Sequence, residues 1–271
     1  MTTVRQYHGD NEIIRWRYCD NTMMTVRQYD GDKMSPIKLV TFDVTNTIIK
    51  ILGGVGHNYA KVASLYGKNI DALTIDKSFR VVYKRNAEMY PNFGVNHGLT
   101  ASKWWDKVVT ETLTESGSDH ENLDKIAKHL FLHFSTNQGW EVVEDAVETL
   151  SKLKAAGMQL GVISNFDERL EKILMQLALR HFFDFVICSA TARFAKPDAG
   201  IFHLALEKAG VKACDAVHIG DHVVNDYNGS MNVGINGILY ASSIKNIPEN
   251  IDKSHIVSSL LDVIPIVTGV R

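Results

Sequence analysis

Ile37-Lys38-Leu39-Val40-Thr41-Phe42-Asp43-Val44-Thr45-Asn46-Thr47 passes from apolar, β-branched and aromatic residues into an aspartate and a run of small polar residues. The first half predicts a buried strand. In an α/β protein, the residues just past the carboxyl end of such a strand face the crevice where ligands bind. A carboxylate there can act as a nucleophile, and the backbone that follows can hold a metal or a phosphate. The plainer reading of Asp43 is a helix N-cap at a strand–helix junction. What the other strand ends carry decides between the two.

Strands and helical patterns alternate from Pro36 onward. Met158-Gln159-Leu160-Gly161-Val162-Ile163 predicts a strand ending on Ser164-Asn165, and Phe183 to Ile187 another, followed by Lys196-Pro197-Asp198. Ala216-Val217-His218-Ile219 predicts a third, ending on Gly220-Asp221, and Gly237 to Tyr240 a further one. Helices are predicted over Val142 to Ala156, Arg169 to Leu179, Ile201 to Ala209 and Asp226 to Asn232. Strands separated by helices of this length make βαβ units and a parallel sheet, and near-continuous apolar strands suit a sheet covered on both faces. Residues 57–138 differ: Tyr59-Ala60-Val62-Ala63-Leu65-Tyr66 and Trp104-Trp105-Val108-Val109-Leu113 have helical spacing and no strand stands out. The expected architecture is α/β: a doubly wound, Rossmann-like parallel sheet core (35–52 and 139–271) with an inserted all-helical cap (53–138). Gly53-Gly54-Val55-Gly56 lacks the Gly-Lys-Ser/Thr ending of a P-loop and reads as a hinge into the cap. Trp104 and Trp105 read as cap core rather than as a substrate platform.

Bulk properties narrow the classes. The 271 residues are 45% hydrophobic and 22% charged with a formal net charge of -2, so neither nucleic acid nor an anionic membrane is implied as a partner. No apolar run approaches the roughly 18 residues of a membrane span. Three cysteines without CxxC spacing argue against a disulfide framework and for a reducing compartment, cytoplasmic or nuclear. Eleven scattered histidines give no zinc spacing. Thr3-Val4-Arg5-Gln6-Tyr7-His8-Gly9-Asp10 recurs as Thr25-Val26-Arg27-Gln28-Tyr29-Asp30-Gly31-Asp32. One repeat is too few for a solenoid. It has no apolar signal region and carries acidic residues, so it is neither a secretory nor a mitochondrial leader. Residues 1–34 are therefore expected to be a duplicated, poorly ordered extension, with a partner-binding arm as the alternative.

Four strand ends thus bring polar residues to one sheet edge, and together they suit attack on a phosphate. Asp43 is the candidate nucleophile, with Lys196 to hold it and neutralise charge. Ser164 and Asn165 are candidate donors to phosphoryl oxygens. Asp43 and Asp221 offer hard oxygen ligands for one divalent cation, as suits Mg²⁺. Asp226 is either a metal or supporting residue, or the cap of the short helix that follows it.

In this pattern the chain resembles the haloacid dehalogenase-like hydrolase superfamily over about residues 36–245. Phe42-Asp43-Val44-Thr45-Asn46-Thr47 is similar to the first family motif, Val162-Ile163-Ser164-Asn165 to the second and Lys196-Pro197-Asp198 to the third. Gly220-Asp221-His222-Val223-Val224-Asn225-Asp226 is similar to the fourth. The helical insert falls where that family carries a cap over its active site. His97-Gly98-Leu99-Thr100, Trp104-Trp105 and Ile163 to Glu171 further resemble one animal group of the superfamily. The resemblance implies hydrolysis of a small phosphorylated molecule through an aspartyl-phosphate, with Mg²⁺ held by Asp43, the Thr45 carbonyl and Asp221.

One position departs from the pattern. The family's phosphatases carry an acid two residues beyond the nucleophile, which protonates the leaving alkoxide and then activates water; this chain has Thr45, as the similar animal group also lacks that aspartate. Asn46 replaces the usual glycine and tolerates a left-handed backbone. Proton transfer contributes typically about 10²–10⁴-fold, a loss that shrinks for leaving groups of low pKa such as aryl or acyl phosphates. Three readings follow: a Mg²⁺-dependent phosphate-ester or phosphoanhydride hydrolase weakened at the acid/base position, a metal-free carbon–halogen hydrolase, or a pseudoenzyme that binds a phosphorylated ligand. The intact Gly220-Asp221 motif favours a metal, and retention of Asp43, Lys196 and Asp221 weighs against binding alone.

Overall fold

The computed structural model describes residues 36–241 and 247–269. Within the first 35 residues only a two-residue antiparallel pairing is described, Tyr18–Cys19 with Thr22–Met23. The duplicated segment otherwise lies outside the described residues.

Leu39–Phe42 is the central strand of a six-stranded sheet, and every residue of it is buried. It pairs in parallel with Gln159–Ser164 on one side and Ala216–Gly220 on the other. Phe185–Cys188 extends the first side; Asn236–Tyr240 and Ile256–Val257 extend the second, all in parallel. Successive side chains of a strand point to opposite faces, and two separate cores follow from that. Val40, Phe42, Leu160, Val162, Val217 and Ile219 pack on one face beneath the helices Ala146–Ala155, Leu170–Gln176 and Val263–Thr268. Leu39, Ile163 and Ala216 pack on the other with Ile201, Phe202 and Ala205 of the helix Ala199–Ala209. This is a doubly wound, Rossmann-like sheet, as the alternation of strand and helix predicts.

Two short strands, Ile49–Ile51 and Trp140–Val142, pair antiparallel and bracket the helical insert. Between them lie the helices Val55–Ser64, Ala72–Met89, Ala101–Glu115 and Leu123–His133. These have cores of their own, one around Tyr59, Ile75, Val109 and Leu130, the other around Val82, Trp104 and Val108. Asp71 and Thr100 cap the second and third helices by accepting from Thr74 N and Lys103 N. Gly53 and Gly54 enter the insert with φ of +71° and +84°, a backbone that a side chain would strain. The predicted helix from Val142 starts at Ala146 instead, because Trp140–Val142 is taken into the bracketing strand pair. Among the described residues no helix is long and apolar enough to cross a membrane.

Candidate active site

Asp43 leaves the central strand and is buried, its N–H donating to Ile219 O at 2.8 Å. Lys196 reaches it from the loop after the edge strand. The buried ammonium has three hydrogens and three acceptors: Asp43 Oδ1 at 2.6 Å, Asp226 Oδ1 at 2.6 Å and Ile163 O at 2.7 Å. Burial alone would push the Lys196 ammonium down, but the Asp43 and Asp226 carboxylates overcome this and hold it above the usual lysine range. Burial likewise works to raise Asp226, yet Lys196 and His218 hold that carboxylate well below its usual range. For Asp43 burial wins: the carboxyl is pushed up against the pull of Lys196, with the Asp226 charge adding to the rise.

Asp226 is brought to this centre by a π-helical turn, Val223–Asn228, rather than by the predicted helix over Asp226 to Asn232. Its Oδ2 accepts from His222 N at 2.9 Å. Its side chain lies directly over Gly220, where an added Cβ would stand 2.3 Å from Asp226 Cγ. The glycine of the Gly220-Asp221 pair is thus required by the close approach of Asp226.

Asp221 sits beside them, partly exposed. Its burial, then the charges of Asp43 and Asp226, push its carboxyl up to about 7, while a hydrogen bond from Asn46 pulls the other way. Asn46 takes φ of +61°, the left-handed turn that aims it there. Asp43, Asp221 and Asp226 bring carboxylate oxygens within 4.8 Å of one another. Three acids against one lysine leave an excess of negative charge, and hard oxygen donors so arranged fit a divalent cation. The Thr45 carbonyl, the other expected ligand, accepts no hydrogen bond among the described residues. The chemistry of the donor set therefore fits the metal that the sequence leads one to expect.

Ser164 and Asn165 fall at the end of the neighbouring strand. Ser164 Oγ is buried with no hydrogen-bond partner, and a buried hydroxyl left so is costly unless a ligand supplies the contact. Thr47 Oγ1, in the loop after Asp43, is orphaned in the same way. Asn165 is placed differently from its expected role: Oδ1 accepts from Lys196 N at 2.7 Å and Nδ2 donates to Lys196 O at 2.9 Å. The carboxamide thereby fixes the lysine loop, with one Nδ2 hydrogen uncommitted among the described residues.

Two groups of residues here were not singled out from sequence. Thr41 and His218 face each other across paired strands, and His218 Nε2 lies 3.2 Å from Asp226 Oδ1, with Nδ1 2.9 Å from Thr41 Oγ1. Burial pushes the imidazole pKa down. The neutral tautomer that serves both nitrogens donates from Nε2 to Asp226 and accepts at Nδ1 from Thr41. Two polar residues inside otherwise apolar strands were the available signal. The second group follows Asn165. Asp167 accepts from Arg169 Nε at 2.8 Å, Arg169 Nη2 at 2.6 Å and Trp105 Nε1 at 2.8 Å. The guanidinium also donates to Phe131 O at 3.2 Å and lies 4.2 Å from the Phe131 ring centre. This pair ties the core to the cap. Of the two tryptophans assigned to cap core, only Trp104 is fully buried there; Trp105 lines a cavity of about 210 Å³ between cap and core, which Thr45 and Asn165 also line.

The chain is similar to known proteins over most of its length. Residues 37–230 match the family model described as a haloacid dehalogenase-like hydrolase. The mouse haloacid dehalogenase-like hydrolase domain-containing protein 3 is 38% identical over 233 residues, covering 84% of this chain and 93% of the relative. A 2-haloacid dehalogenase from Pseudomonas syringae superposes with a TM-score of 0.63 at 25% identity, over 86% of this chain and 98% of that one. A phosphatase of the same fold from Thermococcus onnurineus gives 0.57 at 21%, over 86% and 98%. Similar folds therefore serve dehalogenase and phosphatase, and the choice between them rests on side chains. On the family model and these relatives, the chain belongs to the haloacid dehalogenase-like hydrolase family.

Proposed function

We propose that the protein is a Mg²⁺-dependent phosphohydrolase that works through an aspartyl-phosphate at Asp43 and turns over ordinary alkyl phosphates poorly. The observation that carries this reading is the cluster of Asp43, Asp221 and Asp226 against the single ammonium of Lys196. A hydrolase of carbon–halogen bonds has no use for that excess of acid. A 2-haloacid would also bring a carboxylate, and the one cation among the described lining residues of the cavity, Arg169, is already paired with Asp167 through two guanidinium bonds. Ser164 Oγ supports the phosphate reading, because its missing partner is what a phosphoryl oxygen would supply.

In the proposed reaction Asp43 attacks phosphorus. Its new O–P bond forms as the bond to the leaving oxygen breaks, and the electron pair departs with that oxygen. Lys196 orients the attacking carboxylate through Oδ1, and Asn165 keeps the lysine loop in register. Ser164 donates to a phosphoryl oxygen. Bound by Asp43, Asp221 and the Thr45 carbonyl, with Asp226 in support, Mg²⁺ would neutralise charge on the phosphoryl group. Water then hydrolyses the aspartyl-phosphate, returning Asp43 and releasing phosphate. Thr45 supplies no proton in either half, so the leaving group must depart unassisted.

The test is purified protein with acetyl phosphate and para-nitrophenyl phosphate, with and without Mg²⁺. Mg²⁺-dependent release from both is expected. No release from either would overturn the reading, and metal-independent halide release from a 2-haloacid would put the carbon–halogen reaction in its place.

A further inference from the structure

The cavity between cap and core opens on Thr45, the residue standing where the family's phosphatases carry the acid that serves the leaving group. Whatever fills the cavity is therefore the leaving group. Its walls are mainly aromatic and aliphatic, including Phe79, Phe93, Val109 and Trp140. Its volume of about 210 Å³ exceeds the roughly 150 Å³ of an apolar cavity that accepts benzene, so one substituted or fused ring fits.

Charge decides further. Asp167 and Arg169 neutralise each other, and Arg169 also donates to Phe131 O and lies against the Phe131 and Trp105 rings. Among the described residues, no cation remains in the lining for a second phosphate or a carboxylate. Nucleotides, bisphosphates and phosphorylated amino acids would each bury an unpaired charge. A sugar phosphate would set its hydroxyls against walls that are mostly carbon. Beside the Thr45 hydroxyl and one Asn165 N–H, the hydroxyls of Tyr59 and Tyr83 in the lining make no hydrogen bond among the described residues; Tyr59 is only 2% exposed, Tyr83 37%. The Tyr59 hydroxyl at this wall is free to donate to a ligand.

We propose that the substrate is an aryl phosphate monoester, whose uncharged, planar aromatic group fills this cavity and presents a hydrogen-bond acceptor to Tyr59. The assignment rests on the phosphohydrolase reading and narrows it, separating aryl from acyl phosphates. It also explains how the site operates with Thr45. Phenolic oxygens ionise near pH 10, roughly six units below water, so a phenolate leaves without a proton donor. The O–P bond to the ring breaks, its electron pair stays on the phenolate oxygen, and solvent protonates it after release.

Two measurements test the assignment. The first is binding of 2-naphthol, the product alone, read by tryptophan fluorescence, since Trp105 and Trp140 line the cavity. A Kd below about 1 mM is expected. Val109→Phe, which fills part of the cavity, should weaken binding at least about tenfold. The second is kcat/KM with Mg²⁺ for 2-naphthyl phosphate, acetyl phosphate and glucose 6-phosphate. The naphthyl ester should lead, with glucose 6-phosphate at least about 100-fold behind. No naphthol binding at millimolar concentration overturns the proposal. So does good turnover of acetyl phosphate with naphthyl phosphate no better than glucose 6-phosphate; the phosphohydrolase reading then survives. If naphthol binds and no phosphate is released from any substrate, the reaction reading fails while the ligand class of the cavity stands.

Discussion

At the sheet edge, Lys196 places all three of its N–H bonds on acceptors and each carboxylate around it has a named partner. In the cavity above, the Tyr59 and Tyr83 hydroxyls have none among the described residues, and the remaining walls are mostly carbon. One half of the site is a charged lattice with the Ser164 and Thr47 hydroxyls left open; the other is an apolar space with a few open valences. The contrast separates two tasks. Attack on phosphorus needs fixed charge and pre-set hydrogen bonds, whereas choosing a leaving group needs shape and unspent polar groups. Among the described residues, Asp167, Arg169 and Trp105 join the halves.

The charged half breaks most completely at its nucleophile. Asp43→Asn should lower phosphate release by several orders of magnitude, and because Asp226 still pairs with Lys196 it should destabilise the fold less than loss of the lysine does. Activity in the Asp43→Asn variant comparable to wild type would remove Asp43 from the chemistry. Next comes Lys196→Met, which strands Asp43 and Asp226 as unpaired buried acids. Breaking one side of such a buried ion pair typically costs about 3–5 kcal/mol, read here by urea denaturation. A loss below about 1 kcal/mol would mean that the lysine does not hold the lattice together.

The join between the halves should respond less. Trp105→Phe keeps an aromatic ring but removes the donor to Asp167, and should cost about 1–2 kcal/mol in stability. It should also raise KM more than it lowers kcat, since Asp43 and Lys196 are untouched. The smallest expected effect is on pH. Asp221 has its folded pKa raised from 3.8 to about 7, so ionising it costs the metal-free protein stability. That cost is absent below about pH 4, grows as pH rises and is complete above about 7. Mg²⁺ binding relieves it only where the carboxylate is ionised. The Mg²⁺-induced rise in Tm should therefore be larger at pH 8 than at pH 5.5. An equal rise at both would place Asp221 outside the metal site.

The two halves also differ in how far sequence alone reveals them. Asp43, Ser164 and Asp221 each stand at or directly beyond the end of an apolar strand, so the pattern that predicts the strand also points to the residue. Parallel pairing then brings them together without further information. Asp226 was legible as a residue but not as a conformation, because π-helical geometry leaves no periodic mark over six residues. His218 and Thr41 were visible as polar interruptions of apolar strands, yet their pairing depends on register. The cavity was not legible: its walls come from positions scattered between Thr45 and Arg169, and no spacing rule connects Tyr59 with Trp140. Ile256–Val257 and Val263–Thr268 escaped notice because two residues of strand and six of helix are too short to show a period.

Thr45 lies where the two halves meet, and a leaving-group series tests its role most directly. kcat/KM would be measured with Mg²⁺ for a set of aryl and alkyl phosphates of graded leaving-group pKa, in wild type and in Thr45→Asp. Wild type should show a steep fall in rate as leaving-group pKa rises. Thr45→Asp should flatten that slope and raise alkyl phosphate turnover by about 100-fold. A shallow slope in wild type, left unchanged by the aspartate, would mean that a proton donor is already present and that a charged site lacking its acid is the wrong description.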